Sequence, residues 1–271
     1  MNKPLTLLLI LVMSKVSLAA NWINPNEKGI DNHIDFSKSI SFYLSVLKET
    51  DKEVIKQFRE NAEIINEELH FTLNSSSYQN KFDKEEVVNN SSRKQSQRSE
   101  LRYTLSNPQN KSIKMSFKFK SQKDYQISHR VLLSQIKTLT TPKFRQFSRP
   151  NVAIYGENKG TVSCVEWHIE ENNNGQVYHR KKINLASGYL TDGKWHDVVM
   201  EFIPSTDDSE GLCRVTVDGI VQIEMKGYKN LPHGLRKDKY HLNIGPYRDK
   251  VNEKETFIYD EWKVEVKQIA K

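Results

Sequence analysis

Residues 113–120 read Ile-Lys-Met-Ser-Phe-Lys-Phe-Lys, an almost strict alternation of apolar and polar side chains. Because successive side chains of a β-strand point to opposite faces, this stretch predicts a strand with one face in a core. Further short segments repeat the pattern, with turn signals between them: Val131–Lys137, Ser163–Glu170, Asp197–Pro204, Leu212–Val217, Ile220–Met225, Tyr240–Tyr247 and Thr256–Val266. Strands this numerous and short, with no helices between them, predict an antiparallel β-sandwich.

The loops and the N-terminal region have different patterns. Val217-Asp218-Gly219-Ile220 predicts a tight hairpin, since Asp-Gly tolerates the positive φ angles of such a turn. Apolar side chains recur at helical spacing over residues 36–69, and Thr50-Asp51-Lys52-Glu53 has the form of a capping box, so this region predicts helices with a packing role. Residues 74–97 are rich in Asn, Ser, Gln and Lys and predict a loop.

The composition limits the class of protein. The chain has 271 residues, of which 37% are hydrophobic, and its mean hydropathy of −0.69 excludes a polytopic membrane protein. Lys and Arg number 41 against 34 Asp and Glu, a formal net charge of +7, which favours an anionic partner. Cys164 and Cys213 are too few for a disulfide-dense scaffold or a four-cysteine zinc site. They form either a bridge between neighbouring strands or two separate buried thiols.

The first residues predict a signal peptide. Lys3 precedes the apolar stretch Leu5–Met13, which is too short to span a bilayer, and Ser17-Leu18-Ala19 places small residues where a signal peptidase reads them. We expect cleavage after Ala19, with Ala20 as the alternative; a short membrane anchor is the competing interpretation. A secreted or periplasmic protein meets charged glycans more often than DNA or RNA. Among the anionic partners that the charge leaves open, which are nucleic acid, anionic lipid and acidic polysaccharide, export favours the acidic polysaccharide. We also expect a monomer with no stable membrane anchor.

Three predicted strands carry polar clusters, and the first of them is residues 98–102. Arg98, Glu100 and Arg102 share one face of this strand, while the intervening apolar side chains face the core. The central carboxylate is placed to hold both guanidinium groups ready for a bidentate contact with a sugar carboxylate or sulfate. A solvated salt-bridge face is the alternative.

The second polar cluster ends the apolar strand Val131–Lys137. Gln135 and Lys137 share a face with Leu133. A polar pair at the end of such a strand needs a partner, although both side chains reach solvent in the alternative interpretation.

The third polar cluster lies on the strand predicted over residues 240–248. Four residues share one of its faces: His241, Asn243, Gly245 and Tyr247. Gly245 leaves a gap in this row that a ligand could approach. An imidazole, an amide and a phenol around such a gap indicate a site, and an ordinary polar strand face is the alternative.

Together these segments resemble the jelly-roll polysaccharide lyases, a group that includes alginate lyases, glucuronan lyase and a heparin lyase of this fold. Residues 98–102 are similar to their arginine-rich strand motif, and residues 114–120 with 131–137 resemble their strand pair ending in Gln-x-His. Later landmarks follow in the same order: Gly193-Lys194-Trp195-His196-Asp197, Val217-Asp218-Gly219, Asn243-Ile244-Gly245-Pro246-Tyr247-Arg248 and Tyr259-Asp260-Glu261-Trp262. The chain departs from this pattern where many relatives have His and Lys, at Lys137 and Asn243 respectively.

The resemblance implies a mainly β protein, a concanavalin-like β-jelly-roll sandwich with a short N-terminal helical segment. The expected organisation is a signal peptide over residues 1–19, a helical extension over residues 20–70 and the jelly-roll domain over residues 71–271. The implied reaction is β-elimination at a 4-linked uronic acid, which leaves an unsaturated uronate end and uses no cofactor.

This reaction sets the roles that the resemblance implies for the site residues. The C5 proton is barely acidic until the neighbouring carboxylate is neutralised; a base then removes it and an acid protonates the departing O4. Gln135 and Arg98 or Arg102 are expected to hold the carboxylate. Tyr247 is the expected acid and a candidate base, since a phenol can donate and a phenolate can accept a proton.

The remaining site residues have supporting roles. His241 or Lys137 is expected to assist the proton transfer, and His129 and His168 are weaker candidates for the imidazole. Orienting or substrate-binding roles are expected for Glu100, Asn243, Arg248 and Lys118. Lys118 belongs to a row with Lys114 and Lys120 that we expect along a concave sheet, where it attracts a polyanion; ordinary surface lysines are the alternative.

Other functions remain open or are disfavoured. A lectin-type or laminin-G-like jelly roll that binds carbohydrate without cleaving it is the main alternative, because the fold does not separate binding from catalysis. The sequence has no convincing Glu-x-Asp-x-x-Glu pattern of a glycoside hydrolase and no nucleic-acid-binding signature. No metal is predicted, because Asp207-Asp208-Ser209-Glu210 offers oxygens for a structural Ca²⁺ but lacks the EF-hand loop pattern.

Overall fold

The computed structural model describes most of the chain beyond residue 61. The described residues are 32–35, 62–66, 68–74, 87–88, 91–92, 96–106, 111–122, 124, 127–138, 150–157, 160–165, 170–172, 175–177, 180–185, 189–206, 209–231 and 239–269. The predicted signal peptide, residues 36–61 of the predicted helical region and His168 lie outside these ranges.

Every regular element within the described ranges is a β-strand. The strands are β1 (Asn32–Asp35), β2 (Ala62–Ile65), β3 (Glu68–Leu73), β4 (Val87–Val88), β5 (Ser91–Ser92), β6 (Ser96–Arg98), β7 (Leu101–Ser106), β8 (Lys111–Ser121), β9 (Val131–Thr138), β10 (Pro150–Tyr155), β11 (Thr161–Val165), β12 (Glu170–Asn172), β13 (Gly175–Val177), β14 (Arg180–Asn184), β15 (His196–Ile203), β16 (Leu212–Val217), β17 (Ile220–Lys226), β18 (Lys239–Asp249) and β19 (Glu255–Gln268). The mainly β class expected from the sequence is confirmed.

The described strands form two large antiparallel sheets, I and II, and two separate two-stranded sheets, β4–β5 and β12–β13. Sheet I runs β17-β16-β15-β8-β19-β3-β2, with β1 also paired to β19. Sheet II runs β14-β11-β10-β9-β18-β6, with β7 also paired to β18. Apolar side chains of both sheets join one buried cluster, so the sheets pack face to face as a sandwich.

The alternating strand at residues 113–120 lies within β8, next to the centre of sheet I. Its apolar side chains Ile113, Met115, Phe117 and Phe119 are buried in the core. Tyr259 of β19 packs its ring 5.3 Å from that of Phe119. Its hydroxyl donates to a backbone carbonyl of sheet II over 2.8 Å, which satisfies a buried phenol and ties the sheets together.

The predicted helix does not extend through residues 62–69. Ala62–Ile65 and Glu68–Leu73 instead form the hairpin β2–β3 at one edge of sheet I. Ala62 and Leu69 fit the helical spacing on which the prediction was based. However, Leu69, Phe71 and Leu73 alternate strictly with less buried residues, which is the period of a strand, and the segment forms a strand. None of the described residues lies in a helix long and apolar enough to cross a membrane.

The structure confirms the predicted turn and decides between the two alternatives for the cysteines. Asp218 and Gly219 have φ angles of 50° and 76°, so the Asp-Gly pair makes the predicted hairpin turn. Cys164 and Cys213 form a disulfide with a Cα–Cα distance of 6.0 Å. The bond does not join neighbouring strands of one sheet; it links β11 of sheet II to β16 of sheet I and so fastens the two layers.

A register shift changes the predicted face of Leu133. Ser134 lies opposite Ile154 of β10, and Leu132 lies opposite the next residue, Tyr155, so β9 has one extra residue at this point. The extra residue turns Leu133 into the main core, where its side chain is 1% exposed. The prediction that Leu133 shares a face with Gln135 is therefore wrong.

The lysine row of β8 lies on the outer face of sheet I, away from β9 and β18. Lys118 pairs with Glu261 at 2.6 Å, and this hydrogen bond raises the pKa of Lys118. In the sheet register Lys118 lies opposite Asp197 on one side and Asp260 on the other. Lys118 therefore does not join Gln135 and its neighbours, and the structure gives no support to its predicted substrate-binding role.

Candidate active site

Three strands of sheet II bring predicted site residues into one row. Gln135 of β9 lies opposite Asn243 of β18, which in turn lies opposite Arg102 of β7. Ala153 of β10 continues the row beyond Gln135 and packs with Tyr155 in a small apolar cluster that is separate from the main core. The row therefore lies on the outer face of sheet II.

Glu100, in the link between β6 and β7, holds both amides of this row. Gln135 Nε2 donates to Glu100 Oε1 at 2.8 Å, and Asn243 Nδ2 donates to the same oxygen at 3.0 Å. The Glu100 side chain is only 4% exposed, so its charge depends on these donors and on the neighbouring arginines. The carboxylate consequently sets the orientation of both amide groups.

The other oxygen of Glu100 contacts two guanidinium groups. Arg98 Nη1 donates to Glu100 Oε2 at 3.4 Å, and Arg102 Nη2 lies 3.8 Å from that oxygen. This confirms the expected arrangement of a carboxylate between two arginines. Arg102 Nε also donates to Asn243 Oδ1 at 3.2 Å. Burial lowers the pKa of Arg102, Glu100 raises it and Arg98 lowers it, with a downward net result.

The phenol ring of Tyr247 lies beside two arginines. Arg98 Cζ is 4.4 Å from the ring centre, and Arg130 Cζ is 4.9 Å from it. The same ring packs against the apolar cluster of Leu132 and Ala153 on the outer face of sheet II. Through Arg98, Tyr247 is connected to Glu100 and hence to the two amides. A phenol, amides and guanidinium groups from separate strands therefore converge on one face.

Arg130 is held from several sides just before β9 begins. Its Nε donates to Asp249 Oδ1 at 3.0 Å, and its Nη2 donates to Ser96 Oγ at 3.3 Å. Burial lowers the pKa of Arg130, but its interactions with Tyr247 and Asp249 outweigh this effect and raise the pKa above its usual value.

Gly245 has a backbone role instead of the predicted one. Between Ile244 and Tyr247, β18 contributes one residue more than β9, and Gly245 lies in this bulge with a φ of 107°. A Cβ at this position would lie 2.3 Å from the carbonyl oxygen of Ser99, whose N–H donates to the Pro246 carbonyl. The prediction that Gly245 leaves a gap for a ligand is wrong, because the backbone of the β6–β7 link occupies that space.

His241 and Lys137 form a second group farther along the same face. They lie directly opposite each other, and each is two residues from the amide row. Six residue steps along β18 lead from His241 to Tyr247, at most about 20 Å at roughly 3.3 Å per residue, and the partner strand β9 covers the same span in five steps. The role of His241 and Lys137 in proton transfer stays a prediction.

Arg248 does not face the site. Its side chain is fully buried, with Nε donating to Gln97 at 3.0 Å and Nη1 donating to Glu255 at 2.6 Å. Nη2 donates to the carbonyl of Glu253 at 2.9 Å. His129 approaches the same Glu255 carboxylate at 3.2 Å. Arg248 cannot touch a polymer from this position, so its predicted substrate-binding role is replaced by a structural one, and His129 belongs to the same buried ion-pair cluster.

His196 lies between two aspartates near the β16–β17 turn. His196 Nδ1 lies 2.8 Å from Asp218 Oδ2 and Nε2 lies 3.0 Å from Asp192 Oδ1. Both ring nitrogens are thus engaged in hydrogen bonds. Across the ranges that the structure describes, no group of three or more histidine, cysteine or carboxylate side chains is arranged to hold a metal ion.

Sequence reasoning missed Arg130 and Asp249. Arg130 precedes the alternating pattern of β9, and Asp249 follows that of β18. Because the two strands are antiparallel, the start of one meets the end of the other, and the Asp249 N–H donates to the Arg130 carbonyl at 3.0 Å. The sequence signal that could have identified them is that two opposite charges, Arg130 and Asp249, flank two strands that are neighbours in the sheet.

Comparisons with known proteins agree with this architecture. A family model described as polysaccharide lyase matches residues 72–263. An endo-β-1,4-glucuronan lyase from the fungus Trichoderma reesei is similar in structure, with a TM-score of 0.52 and 16% identity over 73% of this chain and 80% of that chain. An alginate lyase from Pseudomonas aeruginosa is similar with a TM-score of 0.50 and 15% identity over 77% of this chain and 87% of that chain. No curated protein matches the chain. The family model spans well over half of the sequence, and the chain therefore belongs to the polysaccharide lyase family, whose members are enzymes that cleave polysaccharides.

Proposed function

We propose that this lyase cleaves a 4-linked uronic-acid polysaccharide by β-elimination on the outer face of sheet II. The proposal is carried by the convergence there of the Tyr247 phenol, the Gln135 and Asn243 amides and the neighbouring guanidinium groups. The two lyases of similar fold are named for glucuronan and alginate, which supports a polyuronate substrate.

The amide row and its arginines suit the uronate carboxylate. Each amide nitrogen of Gln135 and Asn243 donates one hydrogen to Glu100 and carries a second one. Arg102, whose side chain is 42% exposed, adds a positive charge at the end of the row. Donors fixed in this way neutralise the carboxylate as charge spreads onto it in the transition state, without reorganising during the reaction.

Tyr247 suits the proton transfers. A base removes the C5 proton, and the electron pair of the C5–H bond forms the C4=C5 double bond. The C4–O4 bond breaks with its pair going to O4, which takes up a proton. The phenolate of Tyr247 can accept the first proton and its phenol can return one to O4, so the step needs no oxidant or further reactant.

The test is an incubation of the purified protein with glucuronan, alginate and heparin, followed by the ultraviolet absorbance of the unsaturated uronate. We expect absorbance to rise with one of these polymers and Tyr247→Phe to lower the rate at least about 100-fold with the fold intact. Arg214→Gln is the matched control, because Arg214 also pairs with carboxylates, Glu201 and Glu224, but on sheet I. Its rate should be unchanged.

Two results would contradict the proposal. Full activity in Tyr247→Phe would remove the role given to the phenol. Saturable binding of a polymer without any rise in absorbance would favour a carbohydrate-binding protein that does not cleave its ligand.

We also infer that the protein works outside the cytoplasm as a monomer. The support is the signal-like pattern of residues 1–19 and a disulfide, which persists in oxidising compartments. Expression of the whole chain should yield a secreted or periplasmic protein that begins at Ala20, read by N-terminal sequencing. Retention of Met1 in a membrane fraction, or a dimer in sedimentation, would contradict this inference.

A further inference from the structure

Tyr247 has a second charged neighbour, Arg130, which does not belong to the group of residues that we propose to bind the polymer. Arg130 Cζ lies 4.9 Å from the centre of its ring. Arg98, the other neighbour, is hydrogen-bonded to Glu100 and thereby belongs to the amide row. Arg130 instead pairs with Asp249, which has no contact with that row in the described structure.

The pose of Arg130 is strongly constrained. Its Nε and Nη2 both reach Asp249 Oδ1, at 3.0 and 2.9 Å, and Nη2 also donates to Ser96 at 3.3 Å. The backbone adds a hydrogen bond between the same two residues, from the Asp249 N–H to the Arg130 carbonyl at 3.0 Å. A guanidinium held this way is a planar, permanently charged group in a fixed orientation.

We propose that Arg130 is a positioning residue that acts through Tyr247. Anchored by Asp249, it keeps the phenol in place on the face of sheet II and holds a positive charge beside it while the phenol gains and loses its proton. The inference rests on the proposed function, because it gives Arg130 a task only where Tyr247 transfers protons. Small displacements of a reacting group are costly in rate, which is why such a support matters.

The experiment measures kcat and KM on the polymer that the enzyme cleaves. We expect Arg130→Gln to lower kcat about 10–100-fold with KM unchanged, Arg130→Lys to recover part of the loss, and Asp249→Asn to cause a smaller loss of kcat. In a Tyr247→Phe background, Arg130→Gln should cause little further loss, since residues that act as a unit are not additive. Arg214→Gln is again the control with unchanged kcat.

A readout without activity separates this inference from the proposed function. With ¹³C-labelled tyrosine, the resonance of Tyr247 is identified by its absence from Tyr247→Phe, and it should shift in Arg130→Gln but not in Arg214→Gln. An unshifted resonance overturns the inference. The inference is also overturned if Tyr247→Phe is inactive while Arg130→Gln keeps its full kcat. If Arg130→Gln instead raises KM at constant kcat, Arg130 is a substrate-binding residue and the inference is likewise overturned. An active Tyr247→Phe refutes the proposed function instead, and with it the task given to Arg130.

Discussion

Replacing Glu100 by Gln tests the part of the site on which the other side chains depend. The substitution keeps the shape of the side chain and removes one charge and one acceptor. Glu100 accepts from Gln135, Asn243 and Arg98, and it also lies 3.8 Å from Arg102. Since all four neighbours are donors, an introduced –NH₂ group faces donors whichever way the new amide turns.

The structure indicates which orientation costs less. With its oxygen toward Gln135 and Asn243, the new amide keeps the contacts of 2.8 and 3.0 Å and loses the weaker ones to Arg98 and Arg102. Breaking a buried ion pair costs about 3–5 kcal/mol. Arg102 is 42% exposed and water screens part of its charge, so we expect a loss of about 2–4 kcal/mol in the free energy of unfolding.

Urea denaturation and the absorbance assay together check this prediction. Glu100→Gln should unfold at lower urea, and its activity should fall more than its folded fraction does, because Arg98 and Arg102 lose their fixed poses. Glu224→Gln is the control, since Glu224 also pairs with two cations but on the outer face of sheet I. If Glu100→Gln kept both the stability and the rate of the parent protein, Glu100 would not be the anchor of the site.

Three further predictions concern the frame around the site. Glu255→Gln should cost about 3–5 kcal/mol, because it leaves the fully buried Arg248 without its carboxylate. Burial raises the pKa of Glu255, but its contacts with His129 and Arg248 outweigh this effect and lower the pKa on balance. The stability that Glu255 contributes is therefore present above the unfolded pKa and is lost as pH falls through the folded pKa. The difference in urea midpoint between parent and variant should shrink with acidification, and a larger difference at low pH would contradict this reasoning. Gly245→Ala should cost about 3 kcal/mol or more and lower the rate, because the new Cβ meets a backbone carbonyl at 2.3 Å and the φ is 107°; an unchanged melting temperature would show that the β6–β7 link yields easily. Replacing Cys164 and Cys213 together by Ala should lower the free energy of unfolding by about 4 kcal/mol, because the bond closes a loop of 49 residues in the unfolded chain. A loss near zero in a denaturation experiment would mean that the bond does not constrain the unfolded chain.

The parts of this molecule that follow local rules were predictable from sequence. β8, β16 and the Asp218–Gly219 turn depend on alternation and on φ preferences within a few residues, and all three are confirmed. The same local rule put Gln135 and Asn243 on polar faces, and the register then made them neighbours.

The errors arise where a contact between strands overrides the local period. Leu133 turns into the core because β9 and β10 are out of step by one residue, and no pattern within β9 records the register of its neighbour. Gly245 was taken for an opening because an isolated glycine in a strand has several causes, and only the approach of the β6–β7 backbone identifies this one. Arg248 is predicted to bind substrate, but its side chain is buried, because Glu255 of β19 in sheet I neutralises its charge.

The lysine row of β8 and the basic residues on the outer face of sheet II differ in the charges that the sheet register places beside them. On the outer face of sheet I, Lys114 lies between Glu201 and Glu265, as Lys118 lies between two aspartates, so the sheet itself neutralises these lysines. The face of sheet II has a different balance among its described side chains. It carries three guanidinium groups, those of Arg98, Arg102 and Arg130, and the two carboxylates that contact them, Glu100 and Asp249.

The excess positive charge on sheet II explains how one face can be both ordered and receptive to a polyanion. Glu100 and Asp249 fix the arginines in place, and these two carboxylates carry one charge fewer than the three guanidinium groups that they contact. Under the proposed function, a bound uronate supplies a negative charge beside these guanidinium groups. Because both partners are partly shielded from water, the gain exceeds that of an exposed pair. Binding should therefore weaken with added salt, and Arg102→Gln should reduce this salt dependence, whereas Lys114→Gln on sheet I should leave it unchanged, as measured by polymer affinity over a range of sodium chloride concentrations. Equal salt dependence in both variants would mean that the overall charge of the protein, and not the arrangement on sheet II, attracts the polymer.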